Sequence, residues 1–230
     1  MVRGVLLDLY GTLVEEDEVN LHAITTAIHG SAQGEATFAE VGTFWYDAFF
    51  RLTDAAAGEA FRSQAAIGRA SLEEVIGRFG SSVDAAESLA AQQRYWSGPI
   101  IYEETVPFLQ AMRELGLVTC IVSNADRADV DAALALHGLE VDHVVTSEDA
   151  RHYKPHPRIF AVAMERTGLP ARDLVHVGDS WRSDVRGAAG VGIRPVWINR
   201  MDRERPDDGY QAHEVTDLTM VTAWIREQLR

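Results

Sequence analysis

The sequence is poor in cysteine, in positive charge and in long apolar runs, and each shortage narrows what the protein can be. Cys120 is its one cysteine among 230 residues, so an intramolecular disulfide is excluded and a reducing cytoplasm is the expected compartment. Its setting in the apolar stretch Leu117 to Val122 predicts a buried thiol and not a nucleophile. Apolar runs stop well short of the ~20 residues that a membrane span needs. The N-terminal run is too short for a signal peptide and carries Asp8. Lysine and arginine number 21 against 35 Asp and Glu, a net charge of −14. That balance argues against nucleic acid or an anionic membrane surface as partner. A few local cations or a divalent metal could still admit a small anion to a cleft. The sequence has neither low-complexity tracts nor internal repeats, and 47% of it is hydrophobic, so a packed core is expected.

What is present is organised around the first stretch, Gly4 to Leu13. Val5 to Leu7 has the length and flanks of a buried strand. It ends at Asp8, and Gly11-Thr12 signals a turn just beyond. In an open parallel sheet, ligands bind outside the carboxyl ends of the strands. A carboxylate there can be a nucleophile or a metal ligand, and its plainer use is to cap the next helix. From about 14 to 96 the texture is alanine-rich and amphipathic, in patches Val19 to Ile28, Phe38 to Leu52, Ala55 to Ala70, Leu72 to Phe79 and Ala85 to Trp96. Ser71 reads as an N-cap, and Ser82-Val83-Asp84 as the start of the last patch. Phe38, Phe44, Trp45, Tyr46, Phe49 and Phe50 are expected to pack between helices and not to line a pocket.

Beyond Gly98-Pro99, strands and helices alternate. Strands are expected over Leu117 to Val122, Val144-Val145, Leu174 to Val177 and Arg194 to Ile198. Helices are expected over Val106 to Leu115, Ala128 to His137, Pro157 to Thr167, Asp184 to Val191 and Thr216 to Arg230. Such alternation predicts right-handed βαβ units and a parallel sheet.

Polar residues then recur at or near strand ends: Asp8, Ser123-Asn124, Lys154, and the run Gly178-Asp179 through Asp184. Singly, each reads as a cap, a turn or a solvated loop. Together they supply a nucleophilic carboxylate, small polar donors, a cation and an acidic pair, the set that transfer of an anionic group requires. His152 and His156 stand four apart, but Pro155 and Pro157 disfavour the helix that would make them a metal pair.

In these four stretches the chain resembles the haloacid dehalogenase-like (HAD) hydrolase superfamily, nearly end to end. Asp8-Leu9-Tyr10-Gly11-Thr12, Ser123-Asn124, Lys154-Pro155 and Gly178-Asp179 through Asp184 look like its four motifs in order. The resemblance implies an α/β fold: a Rossmann-like parallel-sheet core over 1–13 and 97–230, with an inserted α-helical cap over 14–96. It implies that Asp8 is the nucleophile. Ser123 and Lys154 would be catalytic, and Gly11, Thr12, Asn124 and Tyr10 would bind substrate, the first two through backbone N–H groups. Mg²⁺ would be held by Asp8, the Tyr10 carbonyl, Asp179 and Asp184.

One departure divides the readings. Superfamily phosphatases usually carry a second aspartate two residues after the nucleophile, as general acid and base. Here that place is Tyr10, whose ordinary pKa of about 10 suits a proton shuttle poorly. Tyrosine there resembles the 2-haloacid dehalogenases, in which the aspartate displaces halide from carbon without a metal. Those enzymes use an arginine early in the cap to take up the halide, and this chain has none between Arg3 and Arg51. The acidic pair Asp179/Asp184 favours a metal. The sequence reading therefore puts a Mg²⁺-dependent phosphatase first, acting on a small phosphate ester or acyl phosphate. The metal-independent 2-haloacid dehalogenase is the alternative, and a catalytically silent binding module comes third. For the missing acid, Glu15, Glu16, Asp17 and His22 are candidates, although a solvated helix start is the plainer role for the acidic run.

Overall fold

Residues 1–229 are described by the computed structural model. After β1 (Gly4–Leu7) come four helices in succession: α1 (Glu18–Ser31), α2 (Phe38–Ala55), α3 (Gln64–Phe79) and α4 (Ala85–Ser97). The chain continues through α5 (Thr105–Glu114), β2 (Val118–Ser123), α6 (Arg127–His137), β3 (His143–Thr146), α7 (Ser147–Ala150) and α8 (Pro157–Thr167). It ends with β4 (Leu174–Gly178), α9 (Arg186–Gly190), β5 (Arg194–Ile198), β6 (His213–Val215) and α10 (Leu218–Gln228). All the sheet pairings are parallel, in the order β3-β2-β1-β4-β5-β6. This is the Rossmann-like α/β architecture expected from the alternation of elements.

Period-2 alternation explains why helices cover both faces of the sheet. Val5 and Leu7 of β1 face one core, with Phe108 and Met112 of α5 and Val221 and Ile225 of α10. Leu6 faces the other, with Cys120, Val122, and Ile159 and Phe160 of α8. Cys120 is buried as expected, and burial pushes its thiol up to about 12. A third core, built on Ile24, Ile28, Val41, Trp45, Leu72, Val75, Leu89 and Trp96, holds α1–α4 together.

This bundle is tied to the sheet's carboxyl edge by specific contacts. Asp126, at the start of α6, accepts N–H bonds from Gln64 (2.6 Å) and Ala65 (3.0 Å) at the start of α3. Its carboxylate thus meets the unpaired amides of a helix N-terminus. The Tyr153 hydroxyl donates to the Arg62 carbonyl at 2.8 Å, and Arg182 grips both oxygens of Asp54 on α2 at 2.7 and 2.6 Å.

Several local expectations change. Ser71 does not start a helix: α3 runs through it from its true cap, Ser63, whose hydroxyl accepts from the Ala66 N–H. Ile67, Gly68, Leu72 and Val75 continue one buried stripe past Ser71. Its buried hydroxyl donates to the Gly68 carbonyl and accepts from the Trp45 indole. The helix expected at Asp184 is preceded by a wider π-type turn, Trp181–Val185, and only Arg186–Gly190 is α-helical. β6 went unpredicted because three residues, two of them polar, carry no periodic signal. Asp217 caps the last helix, and the expected final residue of that helix, Arg230, lies outside the described residues. Among the described residues no helix is long and apolar enough to cross a membrane.

Candidate active site

Parallel pairing in register brings the ends of β1, β2 and β4 together. Leu7 sits opposite Ile121 on one side and Val177 on the other, so Asp8, Ser123 and Asp179 emerge at one edge, where the strand order reverses. A backbone bond from the Asp8 N–H to the Val177 carbonyl (2.9 Å) fixes the first of these.

Lys154, the only lysine in the sequence, arrives from the loop between α7 and α8. Asn124 holds its backbone in place: the Oδ1 atom accepts the Lys154 N–H at 2.6 Å, and the Nδ2 group donates to the Lys154 carbonyl at 3.3 Å. The ammonium then lies 2.7 Å from Asp8 Oδ1 and 2.7 Å from Asp184 Oδ1, with the lysine side chain 1% exposed. Asn124, expected to bind substrate, thus positions the cation. Ser123 is buried at the end of β2 and borders the same cavity.

Asp184 has partners on both oxygens. Oδ1 also accepts from Nε2–H of the buried His176 on β4 (2.8 Å), and Oδ2 accepts the Ser180 N–H (3.0 Å). Burial alone would raise its pKa, but Lys154 and His176 outweigh it and hold Asp184 down to about 2. Asp8 is raised from the ordinary carboxylate value by burial and by Asp184, against the pull of Lys154. A carboxylate that is both paired and more basic than usual makes the better nucleophile. Lys154, despite burial, is raised by Asp184 and Asp8 and stays an ammonium.

Two glycines make this packing possible. A Cβ at Gly178 would stand 2.2 Å from Asp184 Cγ, and one at Gly11 would stand 2.7 Å from Asp179 Cγ, with Gly11 also at φ +76°. Gly178→Ala is expected to displace the Asp184 carboxyl and cost roughly 1–3 kcal/mol by overpacking, read as a fall in thermal midpoint. An unchanged midpoint would mean that Asp184 is not held where described.

Other expected residues take different roles. The Gly11 and Thr12 N–H groups, expected to face an anion, are engaged inside the turn, by the Val14 and Leu9 carbonyls. Their own carbonyls accept from Arg200, which also pairs with Glu104 at 2.7 Å. The Tyr10 hydroxyl donates to the Trp96 carbonyl at the end of α4, joining sheet to bundle. Burial, with Asp129 and Asp8 nearby, raises its pKa above the ordinary tyrosine value. Tyr10 is therefore a tie and not a proton donor.

The Mg²⁺ expectation fares no better. Oxygens of Asp8, Asp179 and Asp184 do lie within 4.8 Å of one another. Yet Lys154, His176 and the Ser180 N–H already satisfy Asp184, and the Lys154 ammonium bridges Asp184 to Asp8. Two of the three carboxylates are thus already paired with an organic cation. Burial and the neighbouring Glu16, Asp184 and Asp8 raise the Asp179 carboxyl well above the ordinary range.

Above these residues opens a cavity of about 1180 Å³. Five of the six aromatics expected to pack between helices, Phe38, Trp45, Tyr46, Phe49 and Phe50, line it, while Phe44 packs on Phe79 instead. Of the acidic run, Asp17 caps α1 as a helix start should. Glu16 borders the cavity: water reaches it there, yet protein crowds it on the other sides. Burial and the Asp8 charge push its carboxyl up to about 7. A raised carboxyl favours folding at low pH and loses that advantage as pH climbs from its unfolded value through 7. Glu16→Gln should therefore raise the thermal midpoint at pH 8 and leave it unchanged at pH 4. Equal shifts at both pH values would remove Glu16 from the cavity.

His176, Arg200 and Arg203 were not anticipated. His176 left one trace, a polar residue inside the apolar run Leu174 to Val177; the two arginines left none.

Comparison with known proteins now bears on this geometry. The family model of the haloacid dehalogenase-like hydrolases matches residues 2–192. The chain belongs to that family. Haloacid dehalogenase-like hydrolase domain-containing protein 3 of Danio rerio is 39% identical over 107 residues, which are 46% of this chain and 44% of that protein. The chain thus matches less than half of that relative's length. (S)-2-haloacid dehalogenase 4A of Burkholderia cepacia is 27% identical over 86% of this chain and 84% of its own. The crystal structure of an L-2-haloacid dehalogenase superposes with a TM-score of 0.80 at 23% identity, covering 98% of this chain and 99% of that one, a likeness of fold. A Thermus thermophilus phosphoserine phosphatase also matches, over 55% of its length. Other (S)-2-haloacid dehalogenases match over 94–98% of theirs. These relatives overturn the first-ranked reading, a Mg²⁺-dependent phosphatase, in favour of the alternative.

Proposed function

We propose that the protein is a 2-haloacid dehalogenase-type hydrolase in which Asp8 displaces halide from C2 of a 2-halo carboxylic acid. The observation that carries this reading is the fixed hydroxyl of Tyr10. The position where a phosphatase needs an acid holds a phenol tied to the Trp96 carbonyl, with a pKa raised above its ordinary value. An alkoxide leaving group needs a proton, and a halide leaves as a stable anion without one.

An Asp8 oxygen forms the new C–O bond as the carbon–halogen bond breaks, and the halide departs with the electron pair. Water then attacks the carbonyl of the resulting ester, releasing the 2-hydroxy acid, restoring Asp8 and yielding one proton to solvent. Lys154 neutralises and orients the attacking carboxylate, held by Asn124. Ser123 stands at the cavity floor to bind the substrate. In this reading 14–96 is the cap that encloses the reacting groups, over a core of 1–13 and 97–230. The buried, unreactive thiol of Cys120 suits a cytoplasmic enzyme.

The test is chloride release from (S)-2-chloropropionate, measured with and without EDTA, beside phosphate release from p-nitrophenyl phosphate. Chloride release that EDTA leaves intact is expected. EDTA-sensitive phosphate release without chloride release would overturn the proposal.

A further inference from the structure

The cavity is much larger than a three-carbon acid requires. Cavities of about 300–1,000 Å³ hold drug-sized ligands, and this one measures about 1180 Å³. Its upper wall is apolar, with Trp45, Phe49 and Phe50 joined by side chains that no protein covers: Phe38 is 40% exposed and Tyr46 58%. Tyr46 and Phe50 form a tilted aromatic pair with ring centroids 4.4 Å apart, and the Arg182 guanidinium lies over the Phe50 ring.

At the floor, the lining among the described residues holds one lysine and one arginine, Lys154 and Arg203. Lys154 is taken up by Asp8 and Asp184. Arg203 is not taken up in this way. Nη1 makes a salt bridge of 3.6 Å to Asp179 Oδ2, too long for a hydrogen bond, and its side chain is 52% exposed. Its backbone is nonetheless fixed. The buried Asn199 side chain accepts the Arg203 N–H at 2.8 Å and donates to the Arg203 carbonyl at 2.8 Å. The neighbouring arginines are engaged elsewhere, Arg182 by Asp54 and Arg200 by Glu104 and the turn carbonyls. A guanidinium with free donors is suited to a carboxylate, and it stands beside Asp179, one oxygen of which lies within 4.8 Å of an oxygen of the nucleophile.

We infer that the substrate is a 2-halo acid with a bulky apolar body, aryl or long alkyl, whose carboxylate is received by Arg203 while the apolar wall holds the body. This inference rests on the displacement reading above and names its substrate class. The apolar wall explains the size of the cleft, and Arg203 supplies the cation that receives the carboxylate.

The test uses the 2-hydroxy acids that the reaction would release, titrated calorimetrically into the intact protein. 3-Phenyllactate is expected to bind at least tenfold more tightly than lactate; a ratio below threefold would overturn the inference. Arg203→Gln should weaken 3-phenyllactate at least tenfold with an unchanged melting midpoint, and Arg203→Lys should restore part of the loss. Undiminished binding by Arg203→Gln would overturn the role of that residue. Tyr46→Ala should lower the ratio between the two acids, and an unaltered ratio would count against the apolar wall. Halide release from 2-chloropropionate and 2-chloro-3-phenylpropionate is measured in parallel. Binding preference without any halide release would overturn the displacement reading and leave the acid site standing. Halide release without binding preference would do the reverse.

Discussion

Asp8→Asn is expected to abolish halide release, lowering kcat/KM on the order of 10⁴-fold or more, as loss of a nucleophile does in enzymes whose groups act as a unit. The amide is nearly the size of the carboxylate, and its oxygen can still accept from Lys154, which stands 2.7 Å from Asp8 Oδ1. The fold should therefore survive while the nucleophile is lost. The neutral amide oxygen cannot complete a displacement at carbon in the time that a carboxylate does. Single-turnover halide release measures the first effect, and a thermal melt checks the second. Residual activity within tenfold of wild type, with the fold intact, would show that Asp8 does not attack the substrate.

Lys154→Met should have the largest effect on stability. Its ammonium is 1% exposed and is shared by Asp8 and Asp184, the latter also 1% exposed. Removing one partner from such a buried set leaves uncompensated charge, at a cost of about 3–5 kcal/mol. For a chain of this size that corresponds to a fall in midpoint of roughly 10 °C. The pH dependence has a definite sign. Asp184, held down to about 2 in the folded protein, contributes stability above its unfolded value and loses it as pH falls through 2. Lys154 is raised, so its contribution is complete below the ordinary lysine value and is lost as pH rises through the folded one. In the variant the unpaired carboxylates are relieved by protonation, so the gap to wild type should be widest near neutral pH and narrow toward pH 4. A loss below about 1 kcal/mol would mean that the pair is solvated, as surface pairs are.

The relatives reorder the functional readings, and the same ion pair bears on the metal expectation. Three carboxylates counted along the chain suggest a divalent cation. Assembled, two of them, Asp8 and Asp184, pair with a lysine from another loop, with His176 completing the arrangement. Tyr10 is similar. Its identity was plain in the sequence, and its departure from the phosphatase pattern was noted there. That its hydroxyl is occupied by Trp96, 86 residues away, follows only from packing α4 against the sheet.

Much was nonetheless determined by the sequence alone. The apolar runs and their turn residues place β1, β2, β4 and β5 and the helices between them, because hydrophobic periodicity and capping act over a few residues. α4 starts where Ser82-Val83-Asp84 signalled, with Asp84 as its cap, and Gly138 and Gly168 end their helices in the left-handed conformation. Asp8, Ser123 and Asp179 were legible as one group because each lies at a strand's carboxyl end, and a parallel sheet brings such ends together, while Lys154 and Asp184 reach the same place from a loop and a turn. The tertiary structure decided which partner each group finds: Lys154 for Asp184, Asn124 for Lys154, Trp96 for Tyr10, Arg203 for the cavity floor. It also set Tyr46, Phe49 and Phe50 of α2 along the cavity, while Trp45 both borders it and packs in the helical core. The physical reason is range. Local patterns dictate which face of an element is buried. The identity of the group across that face, and whether a cavity lies between them, depends on how elements distant in the chain fill a shared volume.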